Sequence, residues 1–181
     1  MTEAPQESDN DELATIRRAC AGDGVAFALL VDSYAARIYT HLYRFVRNPQ
    51  DAEDLTQEVF LKAYRFLRHY DGQRPFRSWL YAIATNTAIS SLRGKRPQPP
   101  VDWPVAAPSP ALSSTADELH EKMAEAVRRL SPQSALLIDL HYREGMTIAE
   151  AAHVARMTDG AAKTMLCRAR KQLRQWLTEH E

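Results

Sequence analysis

The chain of 181 residues has little cysteine and no long apolar run, and each shortage excludes a class of protein. Cys20 and Cys167 lack the spacing of a disulfide framework or a zinc ribbon, so we expect reduced, mostly buried thiols. No stretch reaches the roughly eighteen uncharged apolar residues of a membrane span, and the acidic N-terminus has no signal-peptide pattern. These absences predict a cytoplasmic protein without membrane insertion.

Motifs for catalysis are also missing. The sequence contains no HExxH, GxSxG, P-loop or GxGxxG pattern, and its six histidines are scattered as single residues. We therefore expect no enzymatic activity, no cofactor and no metal site.

The net charge of zero conceals a segregation of charge along the chain. Residues 25–96 carry a net charge of +5 and residues 119–181 a net charge of +2, whereas residues 1–24 and 97–118 carry −4 and −3. A nucleic-acid partner is thus compatible with the two basic blocks, although the whole chain is neutral.

Proline divides the chain. Six of the ten prolines lie between Pro97 and Pro110, in a stretch without helical or strand periodicity. Such a composition predicts a flexible, acidic, proline-rich linker over residues 97–115. We predict an all-α fold of two small helical domains, residues 1–96 and 116–181, joined by this linker.

Apolar residues spaced by three or four positions predict the helices on both sides of the linker. Upstream, we expect a short helix near residues 11–21, a helix ending at Asn48-Pro49, one starting near Asp51, and one over residues 76–94. Downstream, a helix over residues 116–130 precedes a second one with Ser131 as N-cap and Pro132 at its first position. Nothing in the sequence has the alternation of a strand.

The C-terminal pattern predicts a helix-turn-helix. Thr147 and Glu150 match a capping box that opens a short helix, and a basic helix over residues 160–177 follows a tight turn, with Thr158 or Asp159 as its N-cap. Small and polar residues at the start of that helix suit the major groove, while flanking cations suit phosphates. An ordinary helical hairpin with a solvated basic face is the alternative.

The basic N-terminal block combines aromatic residues and cations in HYDGQRPFRSWLYAIATNTAISSLRGKRP. This combination suits single-stranded nucleic acid, because exposed bases stack on rings while cations follow the backbone. The alternative is that Phe76 and Trp79 belong to the core and that Asn86 is an amide that meets only water.

Three ordered strings carry a family resemblance: DAEDLTQEVFLKAYRFL, FRSWLYAIATNTAISSLRGKR and LSPQSALLIDLHYREGMTIAEAAHVARMTDGAAKTMLCRARKQL. From about Asp23 to Leu177 the chain resembles the extracytoplasmic-function (ECF) sigma factors of the sigma-70 family. The resemblance implies a sigma region 2 domain over residues 1–96 and a region 4 domain over residues 116–181. It further implies an initiation factor that binds core RNA polymerase, directs it to promoters and assists melting.

The resemblance also implies partners and site residues. The implied partners of the chain are core polymerase, a duplex −35 element, a single-stranded −10 element and an anti-sigma factor. For polymerase binding it implies Asp51, Asp54, Gln57, Glu58 and Phe60. For the −10 element it implies the loop from His69 to Arg74 with Asn86, Ser90, Arg93, Lys95 and Arg96. For the −35 element the candidates are Ala161, Lys163, Thr164, Arg168, Arg170 and Lys171.

The chain departs from the family pattern at two places. Residues 90–94, SSLRG, lack the acid and most of the basic residues that the family often has there, so −10 sequence preference is not carried over. In the recognition helix, Met165 stands where the family commonly has arginine, and Asp159 precedes that helix. Fewer phosphate contacts there would weaken −35 binding or leave more of it to Arg168, Arg170 and Lys171.

Two functional questions stay open at this stage. The linker is either threaded through a basic environment of the polymerase, which the charge of −3 over residues 97–118 would suit, or a plain tether. A helix-turn-helix regulator that acts without core polymerase is the alternative function, although such a protein would not need the acidic helix from Asp51 to Glu58.

Overall fold

The computed structural model describes residues 5–94, 122–123 and 125–179, and side chains from residue 11 onward. Within those ranges every regular element is helical, as the apolar spacing predicts. The predicted linker over residues 97–115 lies outside the described residues, as does most of the predicted helix over residues 116–130, of which a helical stretch at 125–128 is described.

The N-terminal module, residues 5–94, contains four helices: α1 (Pro5–Cys20), α2 (Gly24–Val46), α3 (Pro49–Phe66) and α4 (Phe76–Gly94). Asp23 caps α2 by accepting hydrogen bonds from the amides of Val25 and Ala26, at 2.9 and 3.1 Å. The apolar stripe of α2 faces α1, α3 and α4 and forms most of the core of this module.

Helix α3 begins two residues earlier than the predicted start near Asp51. The Asn48 side chain accepts the Asp51 amide at 3.1 Å, and Pro49 occupies the first turn, where its missing amide hydrogen costs nothing. Asn48 therefore caps α3, and the bend that ends α2 is formed by Arg47 in the left-handed conformation, with φ 53°.

The C-terminal module, residues 125–179, contains α5 (Pro132–Ile138), α6 (Ile148–Val154) and α7 (Asp159–Glu179). Helix α5 continues directly into a π-helical turn over Asp139–Arg143. Ser131 accepts the Ser134 amide at 3.2 Å and Pro132 starts α5, as predicted. Gly145, with φ 64°, then turns the chain towards α6, where only a residue without a side chain adopts this conformation easily.

The two modules share one continuous core. Helix α4 packs on α6, and the buried apolar residues of both modules form a single cluster. Arg44 of α2 forms an ion pair with Asp139 of the π-helical turn, and the two side chains are 2% and 6% exposed. The buried His41 lies beside this pair, with its Nδ1 atom 3.8 Å from Asp139 Oδ2. The described residues of the modules thus lie in direct contact.

A second set of polar contacts joins α4 to the turn before α6. Arg77 donates to the carbonyl oxygens of Glu144 and Gly145, at 2.8 and 3.4 Å, and lies 3.8 Å from the carboxylate of Glu150. Tyr81 donates from its hydroxyl to Glu144 Oε2 at 2.5 Å. Burial and the neighbouring Glu144 carboxylate raise the pKa of Tyr81, so its hydroxyl remains a donor at neutral pH.

Candidate nucleic-acid interface

Helices α6 and α7 form the predicted helix-turn-helix. Thr147 and Glu150 make a complete capping box at α6: the Glu150 carboxylate accepts the Thr147 amide at 2.7 Å, and Thr147 Oγ1 accepts the Glu150 amide at 3.2 Å. Between the helices, the Met157 amide donates to the Ala152 carbonyl at 2.9 Å and Arg156 adopts a positive φ of 54°. The turn is therefore held by its own backbone.

The two alternatives for the cap of α7 are resolved in favour of Thr158. Its hydroxyl oxygen accepts the Ala161 amide at 3.3 Å, and Asp159 becomes the first residue of the helix. The carboxylate of Asp159 is exposed at the positive end of the helix, where it stabilises α7 but repels a phosphate backbone.

One face of α7 is buried and the other is exposed. Ala162, Leu166 and Ala169 pack against the core, with Ala152 and Val154 of α6 buried behind them and Ile148, Met157 and Leu173 partly buried at the edge. The predicted −35 residues all lie on the exposed side: Ala161, Lys163, Thr164, Arg168, Arg170 and Lys171. The Thr164 hydroxyl donates to the Gly160 carbonyl of the same helix at 2.9 Å. The lone pairs of the Thr164 hydroxyl oxygen therefore face outward. Small and cationic groups on the exposed side can meet a DNA groove.

Met165 is partly buried and packs against the core. At the place where the family commonly has arginine, this chain therefore has an apolar contact with its own module.

The neighbouring Cys167 is a free, exposed thiol, which corrects the expectation of mostly buried thiols. It is exposed because it lies on the side of α7 away from Leu166 and Ala169. Cys20 is partly buried, and this burial raises the pKa of its thiol.

Helix α3 presents an exposed polar face. Asp54, Gln57 and Glu58 are exposed, Asp51 is partly exposed, and Glu58 makes an ion pair with Lys62 at 2.6 Å, one turn further along. Phe60 lies on the opposite side of α3: it is 9% exposed and belongs to the core. Its side chain is directed inwards because Val59 and Ala63 share the same buried stripe, so Phe60 does not lie on the polar face.

The residues assigned to the −10 element occupy α4 and the loop before it. Asn86 is partly exposed, and Ser90 and Arg93 are exposed. Lys95 and Arg96 lie outside the described residues. In the loop, Asp71 accepts the Gln73 amide at 3.0 Å and the Tyr70 hydroxyl donates to the Arg74 carbonyl at 2.5 Å, so hydrogen bonds within the loop fix its shape.

The aromatic residues of this region pack mainly on one another. Phe76 is 4% exposed, whereas Trp79 is only partly buried, with ring centroids 5.4 Å from Phe76 and 5.3 Å from Tyr70. The alternative that Phe76 belongs to the core is therefore confirmed. Trp79 and Tyr70 have exposed area at the edge of the cluster, beside the loop.

A cleft of about 630 Å³ lies between this loop and helices α1 and α2, and one residue of the C-terminal module reaches its edge. The loop contributes Tyr70 and Arg74, helix α2 contributes Arg37, and Glu150 of α6 closes one side. The sequence did not predict that the two modules pack on each other. It also did not predict the polar residues at their contact: Arg77, Tyr81, Glu144 and Asp139. The one signal in the sequence was Arg44, a charged residue between the apolar residues Leu42 and Phe45.

No described helix is both long and apolar enough to span a membrane. Within the same residues, no three histidine, cysteine, aspartate or glutamate side chains are grouped to hold a metal ion.

Two family models match the chain: Sigma-70 region 2 over residues 30–98 and Sigma-70, region 4 over residues 120–173. The chain is 32% identical to the ECF RNA polymerase sigma factor SigW of Bacillus subtilis, over 91% of this chain and 95% of that protein. It is also 32% identical to the RNA polymerase sigma-H factor of Pseudomonas aeruginosa, over 93% of each chain. Among solved structures, CnrH in complex with the cytosolic domain of CnrY is similar, with a TM-score of 0.68, 25% identity, and coverage of 93% of this chain and 97% of that one.

The helix-turn-helix and the basic N-terminal module define a two-module transcription factor. The chain belongs to the ECF sigma factors of the sigma-70 family. It is an alternative sigma initiation factor, which binds core RNA polymerase and directs it to promoters through −10 and −35 elements. The alternative of a regulator that acts without core polymerase does not account for the match to region 2.

Proposed function

We propose that this sigma factor divides promoter recognition between the exposed face of α7 and the α4 region. The single observation that carries the proposal is that all six candidate −35 residues are exposed while their helical neighbours Ala162, Leu166 and Ala169 are buried. In this division, Ala161, Lys163 and Thr164 meet base edges near the start of α7. Arg168, Arg170 and Lys171 meet phosphates further along it.

The α4 region takes the non-template strand of the melted −10 element. Asn86 and Ser90 read a base with polar side chains, while Arg93 follows the backbone, together with Lys95 and Arg96. A base swung out of the strand meets the loop from His69 to Arg74, and the exposed edges of Tyr70 and Trp79 offer it a stacking surface. The Asn86 side chain is partly exposed and makes no hydrogen bond to another described residue, so its amide is available to a base.

Core polymerase docks on the polar face of α3. Asp54, Gln57 and Glu58 are exposed there and Asp51 lies at its edge, so a partner with cations opposite these carboxylates is electrostatically complementary. Phe60, which is 9% exposed, supports this helix from inside the module, and its contact with polymerase stays a prediction.

The remaining assignments follow from the class of protein. The chain works in the cytoplasm as a transcription factor and catalyses no reaction, and it requires no cofactor. An anti-sigma factor holds it inactive until a signal arrives; the similar CnrH is bound to the cytosolic domain of CnrY, which supports control by a second protein. We also propose domains over residues 1–96 and 116–181 with a linker over residues 97–115; the matches over residues 30–98 and 120–173 support this division.

Run-off transcription tests the proposal. Purified chain is added to core polymerase on genomic fragments, and start sites are mapped. We expect transcripts from a set of promoters that share two sequence elements. Transcripts that do not depend on the added chain, or promoters that share only one element, would contradict the division between two modules. A pull-down of core polymerase by the chain, with Asp54→Arg as the comparison, tests the docking face separately.

A further inference from the structure

Arg156, in the turn between α6 and α7, has a backbone conformation that glycine adopts far more easily. Its φ of 54° lies in the left-handed region, where the Cβ atom of an L residue comes too close to the following carbonyl oxygen. The turn holds this conformation, because the Arg156 amide donates to the His153 carbonyl at 3.2 Å. Turns of this class often contain glycine, so arginine at this place stores strain that glycine would relieve.

The side chain of Arg156 has no contact in the described part of the chain that offsets this strain. It is exposed, and it makes no hydrogen bond or ion pair to a described residue. Strained backbone conformations are concentrated at functional sites, where a partner gives the strained residue its use. The partner of Arg156 is therefore sought outside the chain.

The position of Arg156 indicates DNA as this partner. The turn leads directly into α7, whose exposed face carries the candidate −35 residues. At the start of that helix the exposed Asp159 repels phosphate, and Met165 packs against the core, where it adds no cation. We propose that Arg156 binds a phosphate of the DNA backbone beside the −35 element and so supplies a cation just ahead of α7. This inference rests on the proposed function, in which the exposed face of α7 meets that element.

A phosphate contact suits arginine at this place. The planar guanidinium group offers several N–H donors that match the oxygen atoms of a phosphate. Such a contact carries no base information, so it strengthens binding to every sequence and fixes how α7 lies in the groove. Each phosphate that a cation neutralises also releases counterions, which makes the affinity depend on salt with a slope of about −0.9 per contact.

Thermal unfolding of the full-length chain tests the strain. We expect Arg156→Gly to melt about 1–4 °C above the wild type, because glycine adopts the left-handed conformation without crowding. Arg156→Lys keeps both the strain and the charge, so it should melt like the wild type. A melting temperature of Arg156→Gly at or below that of the wild type would show that the arginine stabilises the free chain, and it would overturn the proposal.

DNA affinity measured against salt tests the phosphate contact. The first probe is a duplex with the −35 element of a promoter mapped with this chain, and the second is a duplex with that element scrambled. Between about 25 and about 100 mM salt, we expect the affinity of the wild type to fall about 3.5-fold more than that of Arg156→Gly on both probes. Arg156→Lys should keep the wild-type salt dependence. Equal salt dependence of the wild type and Arg156→Gly would overturn the proposal, as would a loss confined to the first probe, which indicates a base contact.

Arg47→Gly is the matched control. Arg47 ends α2 with a φ of 53°, so this variant removes the same charge from the same backbone conformation in the other module. We expect it to keep the wild-type salt dependence on both probes. A change as large as that of Arg156→Gly would show that net charge, and not a contact at the turn, is the cause, and the proposal would then be wrong.

The contact of Arg156 and the proposed function fail separately, and Lys163→Ala and Arg168→Ala distinguish them on the same probes. Weaker binding by these two variants, with unchanged salt dependence in Arg156→Gly, would remove the Arg156 contact and leave α7 as the reading helix. Unchanged binding by both, with reduced salt dependence in Arg156→Gly, would remove the assignment of the α7 face and leave the phosphate contact at the turn.

Discussion

Arg44 of α2 and Asp139 of the π-helical turn, 95 positions apart in the sequence, form a buried ion pair between the two modules. Arg143 contacts the same carboxylate, with its Nε atom 3.5 Å from Asp139 Oδ1. Two guanidinium groups therefore contact the side chain of Asp139. This pair fixes the position of the helix-turn-helix against α4. The packing of the two modules therefore bears on how promoter elements reach the DNA-binding surfaces.

The docking face of α3 is tested by variants that leave the core intact. We expect Asp54→Arg and Gln57→Ala to weaken assembly with core polymerase without changing thermal stability, because both side chains are exposed. Leu55→Ala on the inner side of the same helix removes a residue that is 6% exposed, and we expect it to destabilise the chain by about 2–5 kcal/mol. Size-exclusion chromatography with core polymerase measures assembly. Normal assembly and initiation by Asp54→Arg would show that the docking face lies elsewhere.

The recognition helix is tested by the type of loss that each variant produces. We expect Lys163→Ala and Arg168→Ala to reduce transcription most at promoters that depend on the −35 element. Loss of a base contact costs about 1–3 kcal/mol at one position of the site, whereas loss of a phosphate contact weakens all sequences and lowers the salt slope by about one. Lys163→Arg is the control, because it preserves the charge but not the shape of the side chain. Affinity measured at several salt concentrations distinguishes the two. Unchanged affinity and promoter choice in both alanine variants would remove α7 as the reading helix.

Asn86 is tested at the opening step. We expect Asn86→Ala to form the closed promoter complex almost normally and to be slow in strand opening, because its proposed partner is a base that is available only after melting. Transcription from premelted templates measures this. Such templates should restore Asn86→Ala but not Arg168→Ala, whose defect lies in docking. Rescue of both variants, or of neither, would reject this division of labour.

Asp23 gives a prediction for acid stability. Hydrogen bonds from the Ala26 amide and from Arg18 hold the pKa of the Asp23 carboxyl below its usual value. A carboxyl whose pKa is lower in the folded chain stabilises it above the pKa of the unfolded chain, and this contribution is lost as the pH falls through the folded pKa. We expect Asp23→Asn, which keeps the capping oxygen, to lower the melting temperature at pH 7 and to have a smaller effect near pH 3. A constant difference across this range would show that the charge is irrelevant.

Most helices were predictable because their signals are local. The limits of α4, the Ser131 cap with Pro132 behind it, and the capping box of Thr147 and Glu150 all follow from neighbouring residues, and the structure confirms them. The start of α3 was misplaced because Asn48 and Pro49 serve both as the end of one helix and as the start of the next. The π-helical turn after Ile138 was not foreseen either, because helical periodicity does not distinguish it from a continued α-helix.

The polar residues between the modules were not predictable for a different reason. Arg77, Tyr81 and Glu144 look like ordinary members of exposed helix faces until the fold brings them together. The same holds for Phe60. Its side chain points inwards because Val59 and Ala63, in the same stripe of α3, pack on the neighbouring helices. Apolar spacing predicts which stripe of a helix is buried, but it does not say which charged residues another module will cover.

The division of promoter recognition between two modules is tested most directly by transcription with core polymerase from one promoter in four forms. These carry both elements, a scrambled −10 element, a scrambled −35 element, or an insertion of about five base pairs, half a helical turn, between the elements. The account predicts strong transcription from the first form and a large loss from each of the other three, because two linked modules must reach both elements on one side of the DNA. Full transcription from the promoter with a scrambled −35 element, or from the one with the insertion, would contradict it.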